Sequence, residues 1–456
     1  MVMVKSSANH TALHVDPALR GGSEAEQRRL ASPAAIVLVA VLFAGCAGAS
    51  GAATVRPAAS PKAAPPGRMA TAAMSAGSPT PVATAYTTSA PATLTPPPAS
   101  PTAEAASTSP VVSAATAAAI SGQAGRSAAY YVGDEGSLEG IWRLDLESLQ
   151  TSQLYVGEEA DLEIGHLGLS PDGELMAFEA DLRDPRAPDY LAQSAIMLIR
   201  SDGSRVLTVT EAQGPQEAVV NPQWSPDSSI LAYAHMHSKP GLPDTLGDVE
   251  LHVFDPKDGS DRVATAQGGL YFTWSTDGTQ IAVGEASVRD ALSVLKLSTH
   301  QQRVLWEDPG LAFWHQAWRP GGDQIAVAVV AVAGHNTEAQ QGLYLVSATT
   351  GQRRRLAPWQ VAGVYWSPDG KLLLCAGVEA AAGPWLFDVA RGTGSRLLDQ
   401  DIDFPGNSPW SPRGNALLLA LEERPKRSYS IVLMTLQNRQ VFQLASIDSL
   451  APYPAW

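Results

Sequence analysis

Cysteine is nearly absent from this chain: its 456 residues contain two, Cys46 and Cys375. Two are too few for a disulfide framework or a cysteine-based zinc cluster. Positive charge is also scarce. Lys and Arg number 31 against 45 Asp and Glu, a net charge of −14, and nucleic-acid binding needs a Lys/Arg face that such a chain does not offer. No GxSxG elbow, Gly-rich phosphate loop or HExxH motif occurs, so the usual signatures of hydrolases, nucleotide binders and metalloproteases are missing. After residue 126 there is no helical periodicity either. Cys375 lies in the strand-like run Leu-Leu-Leu-Cys-Ala, where a buried, inert thiol is expected.

What is present divides the chain in three. Residues 34–44 read AAIVLVAVLFA, with Arg28 and Arg29 before them and Gly45-Cys46 after. A basic flank, a short apolar stretch and a small-residue end are the features of an export signal. The run is shorter than the about 20 residues that span a bilayer. Phe43-Ala44-Gly45-Cys46 resembles the bacterial lipobox, which implies Cys46 as a lipidated mature N-terminus; the alternative is a plain signal anchor. Either places the protein outside the cytoplasm and on a membrane. Residues 47–125 are dominated by Ala, Pro, Ser and Thr, as in TPPPASPTAEAAS. Such a segment buries too little apolar surface to offset its ordering entropy and is expected to be a disordered tether, with a reach on the order of 50 Å if coil-like.

From residue 126 a repeat takes over. Leu169-SPDG, Trp224-SPDS, Trp274-STDG, Trp318-RPGG, Trp366-SPDG and Trp410-SPRG each introduce a short apolar strand, and Trp456 stands where a seventh copy would reach its turn. In Ser-Pro-Asp-Gly, Pro presets φ, Asp bonds its own turn and Gly accepts positive φ. The Trp is an anchor suited to packing between sheets. Each copy carries four strands, the pattern of a β-propeller blade. The expected fold is all-β: a propeller over 126–456, of seven blades, with six as the alternative. Residues 128–133, 140–146 and 151–156 supply the outer strands of the first blade, and 451–456 its innermost strand. The repeats resemble those of TolB-like propellers, also found as the non-catalytic propeller of prolyl-oligopeptidase-type peptidases. The resemblance implies this fold and an extracytoplasmic location, and leaves the function open.

Three residues before each key position stand His166, Asn221, Tyr271, His315, Gly363, Asn407 and Tyr453. Strand alternation predicts that they point away from the Trp anchors, into the central tunnel. His166, Asn221, Tyr271, His315, Asn407 and Tyr453 are therefore candidate ligand-binding residues, although the same groups would equally serve to satisfy neighbouring backbone. Around the same face the connections carry an acidic rim that includes Glu158, Glu159, Asp161, Glu307, Asp308, Asp399, Asp401 and Asp403. The longest connections, 181–194 and 237–248, are expected there as loops, while Arg353-Arg354-Arg355 falls on the opposite face.

These features favour a binding or protein-interaction module over an enzyme. An envelope protein, small ligand or glycan would meet the acidic face; the membrane would be met through the lipid. No cofactor, metal site or nucleic-acid partner is expected. His235 and His237 flank Met236 on one strand face, but no further ligand has fitting local spacing. Two alternatives remain open. One is a polysaccharide lyase-like or other carbohydrate-active propeller using His166 and His315; the other is a purely structural envelope scaffold.

Overall fold

The computed structural model describes residues 126–456, apart from 136–137, 158–161, 185–186, 214–215, 240–241, 286–289, 333–336, 379–382, 399–401, 404–407, 424–427 and 448–452. The export signal, Cys46 and the tether lie outside the described residues.

Seven antiparallel sheets follow one another along the chain, each with its strands in sequence order. Blade 1 contains β1 (Ala128–Glu135), β2 (Leu138–Asp145) and β3 (Thr151–Val156). Blade 2 has β4 (Leu162–Leu169), β5 (Leu175–Asp184), β6 (Ala187–Arg200) and β7 (Val206–Gln213). Blade 3 has β8 (Glu217–Trp224), β9 (Leu231–Lys239), β10 (Leu242–Asp255) and β11 (Ser260–Thr265). Blade 4 runs from β12 (Tyr271–Trp274) through β13 (Gln280–Glu285) and β14 (Ala291–Lys296) to β15 (Gln301–Glu307). In blade 5 come β16 (Leu311–Trp318), β17 (Gln324–Ala331), β18 (Gly342–Ser347) and β19 (Arg353–Ala357). Blade 6 comprises β20 (Val361–Trp366), β21 (Leu372–Gly377), β22 (Gly383–Asp388) and β23 (Thr393–Arg396). Blade 7 comprises β24 (Ile402–Asp403), β25 (Ala416–Glu423), β26 (Ser428–Thr435) and β27 (Val441–Ile447). This is a seven-bladed β-propeller.

Blade 1 lacks an innermost strand of its own and borrows it from the C-terminal segment. Tyr130 and Ala455 exchange both backbone hydrogen bonds at 2.8 Å. Trp456 then packs in one cluster with Ala129, Tyr131, Leu144 and Leu146 of blade 1 and Ala416, Leu418 and Leu433 of blade 7. The six-bladed alternative fails because β1 to β3 are part of the ring.

The repeat motif works as turn and tie together. Ser225 Oγ donates to Asp227 Oδ1 at 2.6 Å, and Asp227 also accepts the Ser229 N–H at 3.1 Å. Blades 2, 4 and 6 repeat the Ser–Asp bond at 2.6 to 2.7 Å. Ser228 takes the positive-φ position (φ 62°) that glycine holds elsewhere, as at Gly173 (82°). Beyond packing, most of the Trp indoles carry a hydrogen bond between blades. Trp224, Trp274, Trp366, Trp410 and Trp456 donate Nε1–H to the carbonyls of Gly168, Gln223, Ala317, Tyr365 and Pro409 at 2.9 to 3.2 Å. Each acceptor immediately precedes the key residue of the previous blade. Trp318 is the exception: its indole turns to Gly322 O of its own Arg-Pro-Gly-Gly turn, at 3.0 Å.

One expectation is corrected. Segments 181–194 and 237–248 are not loops but the arms of long hairpins. Asp184 pairs with Ala187 and Arg183 with Leu191, while Leu242 pairs with Lys239 and Leu246 with Ser238. Pro and Asp in these stretches read as loop punctuation, yet the strands continue through register shifts at Arg183, Asp184, Leu242 and Leu246. The arginine run is exposed, and each of its side chains also has a partner. Arg353 lies over the Trp306 ring, 4.5 Å from its centroid. Arg354 donates to Val389 O at 3.1 Å, and Arg355 to Ala339 O at 2.8 Å and Pro358 O at 3.2 Å. Cys375 is fully buried and burial pushes its thiol pKa up, which makes it a core residue.

Candidate functional site

The innermost strands bring together most of the polar positions picked out by the repeat register, by a local geometry that simple alternation misses. In blades 2, 3 and 5 the inner strand shifts register at this place, between Gly165 and Gly168, Val220 and Gln223, and Phe313 and Gln316. His166, Asn221 and Tyr453 take positive φ values of 41°, 57° and 35°. A bulge inserts an extra residue and re-aims the side chains around it. Alternation counted back from the Trp is therefore interrupted before it reaches these residues. A left-handed backbone costs a non-glycine residue of order 1–3 kcal/mol, least for Asn, unless its surroundings impose it.

The surroundings here centre on Glu179, a residue the repeat register did not single out. It stands on β5 with a side chain only 3 % exposed. One carboxylate oxygen, Oε1, lies 2.9 Å from His166 Nδ1 and accepts the backbone N–H of Asn221 from blade 3. Opposite Glu179, Gly165 leaves the space for it: a Cβ there would come within 2.9 Å of Glu179 Oε2. The corresponding positions on the second strands of blades 3 to 7 are Ala234, Gly284, Ala328, Ala376 and Ala420. A single glutamate among five small residues was the signal, visible only once the second strands are aligned by register.

From this carboxylate the polar groups run from blade to blade. The His166 ring stacks on Tyr453, centroids 5.8 Å apart. Asn221 Nδ2 donates to Leu270 O at 2.7 Å. Tyr271 faces Trp314 at 6.5 Å, and the Val364 N–H approaches His315 Nδ1 at 3.4 Å. His315 also meets the Tyr365 ring edge-on at 4.9 Å. Asn407 lies outside the described residues.

Electrostatics give the two histidines opposite characters. Burial works against a charged His166, but the Glu179 carboxylate more than offsets it and holds the imidazole pKa above its ordinary value. His315 is largely shielded from solvent, with no carboxylate partner among the described residues, and burial together with the charge of His166 depresses it to about 4. The two histidines, on blades 2 and 5, are near enough for the charge of one to act on the other. Burial, then the Glu179 charge, raises the Tyr271 hydroxyl to about 12. The cluster thus holds a histidine held towards its charged form by Glu179, a histidine held neutral at pH 7, and aromatic faces.

Of the acidic rim, Glu158, Glu159, Asp161, Asp399 and Asp401 lie outside the described residues, as does the side chain of Asp403. Glu307 is exposed at the end of β15. Asp308 has a structural task, accepting the Gly310 N–H at 3.1 Å in a turn. On the opposite face, a groove of about 530 Å³ between blades 4 and 5 is lined by Ser275, Asp277, Trp318 and Asp323. Its Ser275–Asp277 pair is committed to the repeat turn, so the groove offers less free chemistry than the axial cluster.

Fold and site together define a seven-bladed propeller in which the buried carboxylate of Glu179 stands among histidines and tyrosines of the inner strands. No protein-family model matches the chain, and no curated protein matches it in sequence. Solved structures resemble it in fold. An oligogalacturonate lyase in complex with manganese is 16 % identical, with a TM-score of 0.50 over 65 % of this chain and 83 % of the other. A prolyl endopeptidase structure is 13 % identical, TM-score 0.51, over 74 % of this chain and 52 % of that one. TolB from Acinetobacter baumannii is 18 % identical, TM-score 0.43, over 76 % of this chain and 85 % of that one.

Proposed function

We propose that the protein is an extracytoplasmic, membrane-anchored binding module that takes its ligand at the tunnel mouth over Glu179, His166, Tyr271, His315 and Tyr453. The carrying observation is Glu179: a buried carboxylate where five other blades have alanine or glycine, tied to a histidine and to the next blade. Aromatic faces beside a charged pair suit a ligand with hydrogen-bonding groups and a cationic or sugar-like body. The acidic rim would draw a cationic partner towards this face, with an attraction that weakens in salt. Anchoring rests on the sequence before residue 47: Cys46→Ser should release the protein or leave an unprocessed precursor. Retention of a normally processed variant would overturn the lipoprotein reading.

Thermal shift with a panel of oligosaccharides and basic peptides tests the binding reading, since a ligand that binds only the native state raises the melting temperature. A probe should bind the parent and bind Tyr271→Phe and Tyr453→Phe at least tenfold more weakly. Probe binding unaffected by both variants would move the site elsewhere. The carbohydrate-active reading rests on His166 and His315 sharing the axis. The binding reading is preferred on the Glu179–His166 pair and the aromatic faces beside it. Release of an ultraviolet-absorbing unsaturated product from oligogalacturonide would reverse that preference.

A further inference from the structure

Away from the axis, blade 3 carries a second cluster. Along β9, Leu231 and Tyr233 join a core shared with Ala177, Ile196 and Leu198 of blade 2. His235 and His237 continue the same face of the strand, so they border the cleft between blades 2 and 3. Neighbouring strands bring the ligands that local spacing lacks. Glu217 on β8 pairs with His237, and Glu250 on β10 pairs with His235.

The Glu217 carboxylate addresses both rings. Its Oε2 is 3.5 Å from His235 Nε2 and its Oε1 is 3.6 Å from His237 Nδ1. These distances are too long for good hydrogen bonds. They are close to the about 3.3 Å that separates two donors held tetrahedrally on one zinc-sized ion. His235 Nε2 is buried and has no hydrogen-bond partner, an orphaned lone pair that calls for explanation. Glu217 and His237 remain 45 % and 36 % exposed, leaving an ion a way in.

We propose that Glu217, His235 and His237 bind one divalent transition-metal ion, of the zinc class, at the rim of the cleft between blades 2 and 3. Two imidazoles and one carboxylate select zinc, copper or nickel over calcium and magnesium. Three protein ligands leave a fourth position for water or for a donor from a partner, unlike closed structural sites. Beside them stands a supporting set. His252 Nδ1 lies 3.3 Å from Asp261, Tyr233 donates to the same Asp261 oxygen at 2.6 Å, and His252 Nε2 lies 3.4 Å from Glu250. His235, Glu250 and His252 form a second potential triad, but it shares His235 and its other histidine is already engaged by Asp261 and Glu250.

The test uses the untagged full-length protein, stripped with chelator and titrated with Zn²⁺ by calorimetry. One ion per chain is expected. Glu217→Gln and His237→Gln should each weaken binding at least tenfold, with the metal-free melting temperature close to the parent's because both residues are exposed. His252→Gln should change affinity only a few-fold. Co²⁺ in place of Zn²⁺ should give visible absorption that is lost in His237→Gln. Absence of Zn²⁺ binding overturns the proposal. So does binding that survives Glu217→Gln and His237→Gln, or binding lost only in His252→Gln.

Discussion

Glu179 of blade 2 accepts the backbone N–H of Asn221 from blade 3, so one carboxylate holds both the His166 ring and the bulge of the neighbouring inner strand. Removing it with Glu179→Ala strips a buried charge of its partner and leaves a backbone donor unpaired. The expected cost is about 3–5 kcal/mol by urea unfolding. A loss below about 1 kcal/mol would mean that the bulge at Asn221 stands without it.

The pair also carries a pH signature. His166 has a raised folded pKa, so its stabilisation is complete below the unfolded histidine value of about 6.5 and disappears as pH rises through the folded value. Glu179→Gln should therefore lose more stability relative to the parent at pH 6 than at pH 8.5. An equal loss at both would contradict a charged pair.

His315 runs the other way. Its folded pKa of about 4 lies below the unfolded value, so the unfolded state binds its proton first. Stability from this group is intact above about 6.5 and falls by about 3 kcal/mol on acidification to pH 4. His315→Gln should flatten that part of the acid-denaturation curve. A variant as acid-sensitive as the parent would assign the loss to other groups.

The indole bonds give a paired comparison. Trp274→Phe keeps an aromatic anchor but leaves Gln223 O without the Nε1 donor at 3.2 Å, and should cost about 1–3 kcal/mol. In Trp318→Phe the lost partner is the exposed turn carbonyl of Gly322, and the cost should be smaller. Urea denaturation of the two variants decides the order.

Ring closure is tested by Trp456→Ala. Trp456 is 6 % exposed and bonded to Pro409 O at 2.9 Å. Truncating a buried Trp costs about 3–5 kcal/mol, and deletion of 451–456 should cost more and promote aggregation through the bared edge of β1. Unchanged melting of either variant would contradict closure at this junction.

The fold was legible because each blade repeats one covalent message. A Trp, a Ser-Pro-Asp-Gly turn and a strand recur in register, and the partial units at 128–156 and 451–456 complement each other. Packing between sheets was also predictable, since a large apolar anchor recurs at every junction. What stayed hidden depends on pairing across strands. Glu179 gains meaning only opposite Gly165, and His235 and His237 acquire Glu217 from a strand some twenty residues earlier. The bulges at His166 and Asn221 carry no local motif. The hairpin arms hid behind prolines and aspartates that read as loop. The carbonyls and rings that the exposed arginine run meets are likewise not visible in sequence.

The indole bonds pass a single polar contact from blade to blade, and the relay lapses at two junctions. Leu169 brings no donor to blade 1, and Trp318 turns its own inward. At the first, Arg126 reaches Pro171 O at 3.1 Å; at the second, Thr276 Oγ1 reaches Arg319 O at 3.2 Å, both through exposed side chains. Followed by the indole bonds alone, the ring divides into two arcs, blades 2 to 4 and blades 5 to 7 with blade 1, while shared cores and other hydrogen bonds cross both seams. The Glu179–His166–Asn221 contacts and the Glu217–His235–His237 cluster lie within the first arc, whereas Tyr453 and His315 join the axial cluster from the second.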